Sequence, residues 1–239
     1  MQSYIIHLTG DTRRQINVPT LLSALTDPIV VEAVNGDDAI AQGAIAIRPG
    51  DLRQPAYPFP LGPGEVGCFL SHRACWQRII DSGQDYGLIA EDDLAFDPVN
   101  WVEAMDLIEA QANADMFIRL PAKPSETPVQ VVGQNGSARL FLPRVIGLNS
   151  VCQVVGRNAA QRLLAASETL DRPLDAFLQM HWVTGQPIHT ILPNGVLELT
   201  DELGGSTIQK KSRTSNVLMR GINRLKYRAQ IKKRPQNPS

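Results

Sequence analysis

Short apolar runs alternate along this chain with longer stretches of helical periodicity, and that alternation limits what it can fold into. Residues 4–8, 29–34, 87–90, 115–120, 151–155 and 188–192 are apolar, short and bounded by turn formers, which predicts strands. Between them, residues 13–25 predict a helix interrupted near Pro19, and residues 101–112, 158–166 and 173–182 predict three more. The segment GEVGCFLSHRACWQRIIDSG is the strongest helix, with Phe69, His72, Trp76, Ile79 and Ile80 on one face and Ser82-Gly83 closing it. Residues 48–63 hold Pro49, Pro55, Pro58, Pro60 and Pro63 and must be loop, because proline lacks the ladder donor and breaks helices. Residues 121–143 are expected to be loop and hairpin, with turns at Gly133 and Asn135-Gly136. Strands alternating with helices imply an α/β sandwich with a mostly parallel central sheet. Residues 1–208 are expected to form one domain, and 209–239 a basic, amphipathic C-terminal tail.

Charge supports that division. Ten of the 23 basic residues follow Glu202 and no acid does, so the preceding body carries all 24 acids against 13 bases. An acidic body with a basic tail points to an anionic partner for the tail; a solvated terminus is the plainer alternative. Within NVLMRGINRLKYRAQIKKR, Val217, Leu218, Gly221, Ile222 and Leu225 recur at helical spacing among cations, as in an interfacial helix. No apolar run is long enough to span a bilayer, and the first residues read as a strand, not a secretory signal. Cys68, Cys75 and Cys152 lack C-x-x-C spacing, which argues for reduced thiols and a cytoplasmic setting.

The chemistry concentrates in GLIAEDDLAF. The apolar strand 87–90 stops at Glu91, Asp92 and Asp93, and adjacent carboxylates repel. In open α/β sheets ligands bind beyond the carboxyl ends of strands, where this triplet is expected. A hard divalent cation, Mn²⁺ or Mg²⁺, would offset the repulsion. Strand alternation puts Glu91 and Asp93 on one side as ligands and Asp92 opposite. A solvated acidic turn is the competing account. GPGEVG, residues 62–67, matches G-x-G-x-x-G, but the prolines before it forbid the strand that a dinucleotide fold requires. The plainer expectation is that Pro63-Gly64-Glu65 opens the helix. Ser71 and His72 lack a G-x-S-x-G elbow, so a hydrolase is disfavoured and His72 is expected to be buried and hydrogen-bonded.

Taken together, GEVGCFLSHRACWQRIIDSG followed by YGLIAEDDLAF resembles the central signature of glycosyltransferase family 25, a G-E-[IV]-G-C-x-x-S-H helix and then a strand ending in E-D-D. YIIHLTGDTRRQI, VEAVNGDD, NSVCQVVGRNAAQRLL and RPLDAFL resemble its flanking elements, over residues 4–208. His7-Leu8-Thr9-Gly10 departs from the family's asparagine–leucine–aspartate–arginine type of opening loop. The resemblance implies a GT-A type nucleotide-binding sandwich. It also implies metal-dependent, inverting transfer of a sugar, with UDP-galactose as donor, to a lipooligosaccharide or other saccharide acceptor. The expected parts are Glu91 and Asp93 on the cation, with His189 as a late ligand; Asp92, Arg13, Arg14 and Glu65 near the nucleotide; and Asp175 as the base on the acceptor hydroxyl. A lipid-linked acceptor would set the basic tail against the inner leaflet; no nucleic-acid partner is expected. A non-catalytic sugar-nucleotide or saccharide-binding protein on the same scaffold is the alternative.

Overall fold

The structure is a computed structural model and describes residues 1–123, 125–205 and 217–237, without the side chains of Val217 and Leu218. Residues 209–216 of the expected tail lie outside the described residues.

The chain begins with β1 (Gln2–His7), α1 (Thr12–Gln15), α2 (Val18–Ala24) and β2 (Pro28–Glu32). The break between the two short helices falls just before Pro19, which occupies the first turn of α2. Next come α3 (Gly36–Ala41), β3 (Ala46–Ile47), the proline-rich loop, and the long α4 (Pro63–Asp81). Then follow β4 (Tyr86–Glu91), β5 (Leu94–Phe96), α5 (Pro98–Gln111) and β6 (Phe117–Arg119). The hairpin β7 (Pro128–Asn135) and β8 (Ala138–Pro143) precedes β9 (Cys152–Gly156), α6 (Arg157–Ala166) and β10 (Thr169–Leu170). The remaining elements are α7 (Leu174–Leu178), α8 (His181–Thr184), β11 (Ile188–Leu192), β12 (Val196–Glu198) and α9 (Val217–Lys232).

Eight strands form one sheet in the order β2-β1-β4-β9-β6-β11-β8-β7. The β2-β1-β4 block is parallel, as is the β6-β11 pair. Strand β9 runs antiparallel between β4 and β6, and the β8-β7 hairpin closes one edge antiparallel. The result is a mixed α/β architecture with a large central sheet.

Period-two alternation decides which residue goes to which face. Tyr4, Ile6, Ile89, Phe117 and Val155 point to one side and pack with Phe69, Trp76 and Ile79 of α4 and Leu163 of α6. Their neighbours Ile5, Leu88, Ala90, Ile118 and Val154 point to the other and pack with Trp101, Ala104, Leu107 and Ile108 of α5. Both faces being covered, the strands read as unbroken apolar runs. The expected stripe of α4 is buried at Phe69, His72, Trp76 and Ile79, with Ile80 only partly covered.

Two glycines bring helix ends close to the strand ends. A Cβ on Gly67 would sit 2.5 Å from the Val34 carbonyl oxygen, and one on Gly36 would sit 1.8 Å from that of Pro63. The third glycine of the G-x-G-x-x-G match thus serves helix packing. Gly62 caps α4, and Pro63 starts it, as expected from Pro-Gly-Glu.

Candidate active site

The carboxyl ends of β1, β2 and β4 open into a cavity of about 400 Å³, within the range of small-molecule sites. Its other walls are the first turns of α4 and α7 and the 149–151 segment that leads into β9. Because β9 is antiparallel, its entering end arrives at the same edge of the sheet as the leaving ends of its neighbours. Glu91, Asp92, Asp93, His72, Cys68, Glu65 and Asp175 all line this cavity.

The three acids do not continue one strand. Glu91 ends β4, and Asp92 and Asp93 form the turn into β5, so alternation stops at Glu91. Arg14 of α1 reaches both turn acids, 2.7 Å from Asp92 Oδ1 and 2.7 Å from Asp93 Oδ2. The other oxygen of Asp92 lies 2.7 Å from His7 Nδ1, and the Asn17 amide donates to the Asp92 and Leu94 carbonyls. Thr200 donates to Asp93 Oδ2 at 2.6 Å. Much of the triplet's repulsion is therefore offset from within the fold. What is left is specific. Asp93 Oδ1 is buried with no partner among the described residues. Glu91 keeps a quarter of its side chain exposed, facing the cavity. Burial pushes the Glu91 carboxyl above its usual range; His72 opposes this, while the charges of Asp93 and Asp175 add to it.

His72 is fully buried, and its orientation follows from a neighbour. The Gln153 amide nitrogen donates to the Ser150 carbonyl, which can only accept, and also to His72 Nδ1, both at 2.9 Å. Nδ1 is thus the acceptor, and the ring proton sits on Nε2, 3.6 Å from Glu91 Oε1. Cys68 Sγ, His72 Nε2 and a Glu91 oxygen lie within 4.8 Å of one another. That trio suits a cation poorly in this state, since Nε2 holds a proton. Burial, then the charges of Glu91, Asp175 and Glu65, also pushes the Cys68 thiol well above its usual range. The open acceptors for a hard cation are Glu91 and Asp93 Oδ1.

The other expected residues divide clearly. Asp175, in the first turn of α7, faces the cavity, and its Oδ2 accepts the Asn149 N–H at 2.9 Å. Glu65 lines the cavity and accepts the Gly62 N–H at 2.8 Å, which fixes the start of α4. Asp92 and Arg14 both line the cavity, the carboxylate and the guanidinium nitrogens Nη1 and Nη2 being paired with one another and with Asp93 and His7. Arg13 is half exposed, pairs with Asp11 and the Gly204 carbonyl, and is not part of the cavity lining. His189 is corrected as a metal ligand. It lies on β11, three strands from β4, or about 14 Å by strand spacing, and is not part of the lining. Burial holds its imidazole below the usual value, with a backbone hydrogen bond at Phe117 opposing.

Several residues in or behind the cavity wall carried no functional signal in the sequence, His7 lying behind it and not in the lining. His7, where the chain departs from the family's opening loop, turns out to hold Asp92 and also meets Gln15 at 2.7 Å. Asn35, Asn149, Ser150, Glu198 and Thr200 complete the walls from three distant segments. Asn149 takes a φ of +91°, a conformation that asparagine tolerates better than most residues, and this aims its N–H at Asp175.

Residues 1–131 match the sequence profile of glycosyltransferase family 25, described as an LPS biosynthesis protein family. The chain belongs to glycosyltransferase family 25. It is 31% identical over 174 residues to procollagen galactosyltransferase 2 of Homo sapiens, across 66% of this chain and 28% of that protein. The Mus musculus protein of the same name is 35% identical over 174 residues, with the same coverage of 66% and 28%. The inactive glycosyltransferase 25 family member 3 of Homo sapiens is 38% identical over 161 residues, across 62% of this chain and 26% of that one. The chain thus spans little more than a quarter of the length of these relatives.

Proposed function

We propose that this chain is a hexosyltransferase on a GT-A type scaffold. It takes galactose from a UDP-sugar, with Mn²⁺ or Mg²⁺, and delivers it with inversion to a saccharide acceptor of the lipooligosaccharide kind. The observation that carries this is the meeting of Glu91, the unpartnered Asp93 Oδ1 and Asp175 in one cavity at the strand ends of a family 25 chain. The donor sugar is inferred from the relatives' names, procollagen galactosyltransferase.

Glu91 and Asp93 would hold the cation, which when bound supplies positive charge to the departing diphosphate. Burial, ahead of the charges of Asp93 and Asp175, raises the Glu91 carboxyl, and a cation bound there would offset that cost. His72 Nε2, 3.6 Å from Glu91 Oε1 and without a hydrogen bond among the described residues, would be the group that steadies that carboxylate. Asp175 takes the proton from the acceptor hydroxyl as its oxygen attacks the anomeric carbon. The bond from that carbon to the phosphate oxygen breaks on the opposite face, UDP leaves with the electron pair, and configuration inverts. The Asn149 N–H holds one Asp175 oxygen and leaves the other to accept the proton.

The test is UDP release from a panel of UDP-sugars with a saccharide acceptor, with products identified by mass. UDP-galactose is expected to turn over with Mn²⁺, to stop in excess EDTA, and to fall by about 10²–10⁴-fold in Asp175→Asn. Full turnover in EDTA removes the cation, and unchanged turnover in Asp175→Asn removes the base. The similarity to a family member named inactive favours a second reading, a non-catalytic sugar-nucleotide or saccharide-binding protein. Calorimetric UDP binding without turnover of any donor would select it.

A further inference from the structure

Helix α9 has two unlike faces. Arg220, Arg224, Tyr227 and Ile231 recur at spacings of four, three and four and share one face. That face is docked on the body. The guanidinium groups of Arg220 and Arg224 each lie 5.8 Å from the centre of the Phe59 ring. Tyr227 and Ile231 are buried against Ala176, and the Tyr57 ring packs edge-on to Tyr227 at 5.3 Å. The chain beyond α9 is tied down as well: the Gln236 amide bonds the Ile188 N–H and C=O, both at 2.9 Å.

The opposite face is not covered by the described residues. At about 100° per residue, Met219, Ile222, Leu225 and Ala229 point away from the docked stripe. Met219 is 54% exposed, Ile222 40% and Leu225 67%. Around the helix Lys226 falls between Ile222 and Met219, Lys232 and Arg228 lie beside Leu225, Lys233 follows the helix end, and all four are exposed. The helix contains no acid. No helix among the described residues is long and apolar enough to cross a membrane.

We propose that the outer face of α9 seats on an anionic lipid bilayer, with Met219, Ile222 and Leu225 entering the interface and the flanking cations meeting lipid phosphates. Charge complementarity argues for an anionic partner, because the exposed Lys226, Arg228, Lys232 and Lys233 share this face and the helix itself carries no acid. The apolar stripe argues for lipid over nucleic acid, which is held through its phosphates without a need for exposed leucine and isoleucine. The docked face gives the contact a consequence. Ala176, under Tyr227 and Ile231, is next in sequence to Asp175, and Tyr227 accepts from Arg172, whose neighbour Pro173 lines the cavity. A bilayer held by α9 therefore lies against the same helix that braces the cavity's α7 wall. This placement does not depend on the transfer reaction.

The test is co-sedimentation of the full chain with vesicles of phosphatidylcholine alone or with about 30 mol % phosphatidylglycerol, at low and high salt. Binding is expected only with the anionic lipid, weakening as salt rises. The combined variant Met219→Ser, Ile222→Ser, Leu225→Ser is expected to lower the partition coefficient on the order of 100-fold while its melting temperature stays near that of the parent, since all three side chains are exposed. Unchanged partition of that variant, or equal binding to neutral vesicles, overturns the proposal. So does a dimer in solution that the same variant dissociates, which would assign the face to a second copy.

Discussion

Arg14 offers the sharpest test of how the acids are tolerated. One guanidinium bridges two carboxylates at 2.7 Å each, and the three side chains are 8%, 5% and 3% exposed. At an effective dielectric of about 20, each contact is worth about 6 kcal/mol of gross attraction, most of it offset by desolvation of the charges. The cost of Arg14→Met is the uncovering of Asp92 and Asp93 rather than the lost contacts. Breaking a buried pair from one side costs about 3–5 kcal/mol, and two acids are stranded here, so the upper end is expected. A domain of this kind holds about 5–15 kcal/mol in all, so the loss would be plain in urea unfolding followed by tryptophan fluorescence. Arg14→Lys should recover only part of it, because an ammonium cannot fork to two carboxylates. The deciding arm is a cycle: in an Asp92→Asn, Asp93→Asn background, the same Arg14→Met change should cost about 3 kcal/mol less than in the parent. If Arg14→Met costs the same in both backgrounds, or under about 1 kcal/mol in the parent, the charge argument is wrong and Arg14 acts only by packing.

Two further outcomes follow from the packing and from a second buried pair. Gly67→Ala should destabilise by about 1–3 kcal/mol, because its methyl meets the Val34 carbonyl at 2.5 Å, whereas Gly62→Ala should be near neutral, its nearest neighbour being Glu65 Oε2 at 3.7 Å; thermal melts of both check this. Asp171 pairs with Arg172 at 2.8 Å and with Arg53 at 3.3 Å; burial pushes its carboxyl up, but the Arg172 hydrogen bonds and the two arginine charges outweigh that and hold it below the usual range. A carboxyl lowered in the folded state contributes stability that is full above the unfolded value, about 3.9, and is lost as pH falls through the folded one. Asp171→Asn should therefore cost about 3 kcal/mol at pH 7, with the gap from the parent closing as pH drops below about 4 in urea titrations.

The sheet's central strands were legible because residues covered on both faces must be apolar throughout, and α4 because its stripe is long. Strand direction was not, since nothing local in 152–156 distinguishes antiparallel β9 from a parallel strand. The hairpin was legible only at its Asn135-Gly136 turn. Val129, Val131 and Val132 of β7 are exposed on an edge strand, and Gly133, which reads as a turn, lies at a register shift within the strand. In the site, a cluster adjacent in sequence could be found, while partners far apart could not. His7 and Asp92 are separated by 85 residues, and Arg14 and Asp92 by 78. His189 looked like a ligand because histidine on a late strand carries no mark of which strand lies beside it.

Adjacency made the three acids look like one feature, but the fold assigns them three tasks. Glu91 ends β4 and faces the cavity. Asp92 ties the end of β1 to α1 through His7 and Arg14. Asp93 joins α1 to Thr200 and still leaves Oδ1 without a partner. Among the described residues Arg14 of α1 is the side chain that pairs with two of the three, so the segment after β1 sets how much of their charge is offset. His7, where the opening loop departs from the family's, takes part in that offset through Asp92 although it lies 85 residues away in sequence. His7→Ala is therefore expected to free one Asp92 oxygen, leave that buried carboxylate with Arg14 as its side-chain partner, and lower the melting temperature of the chain.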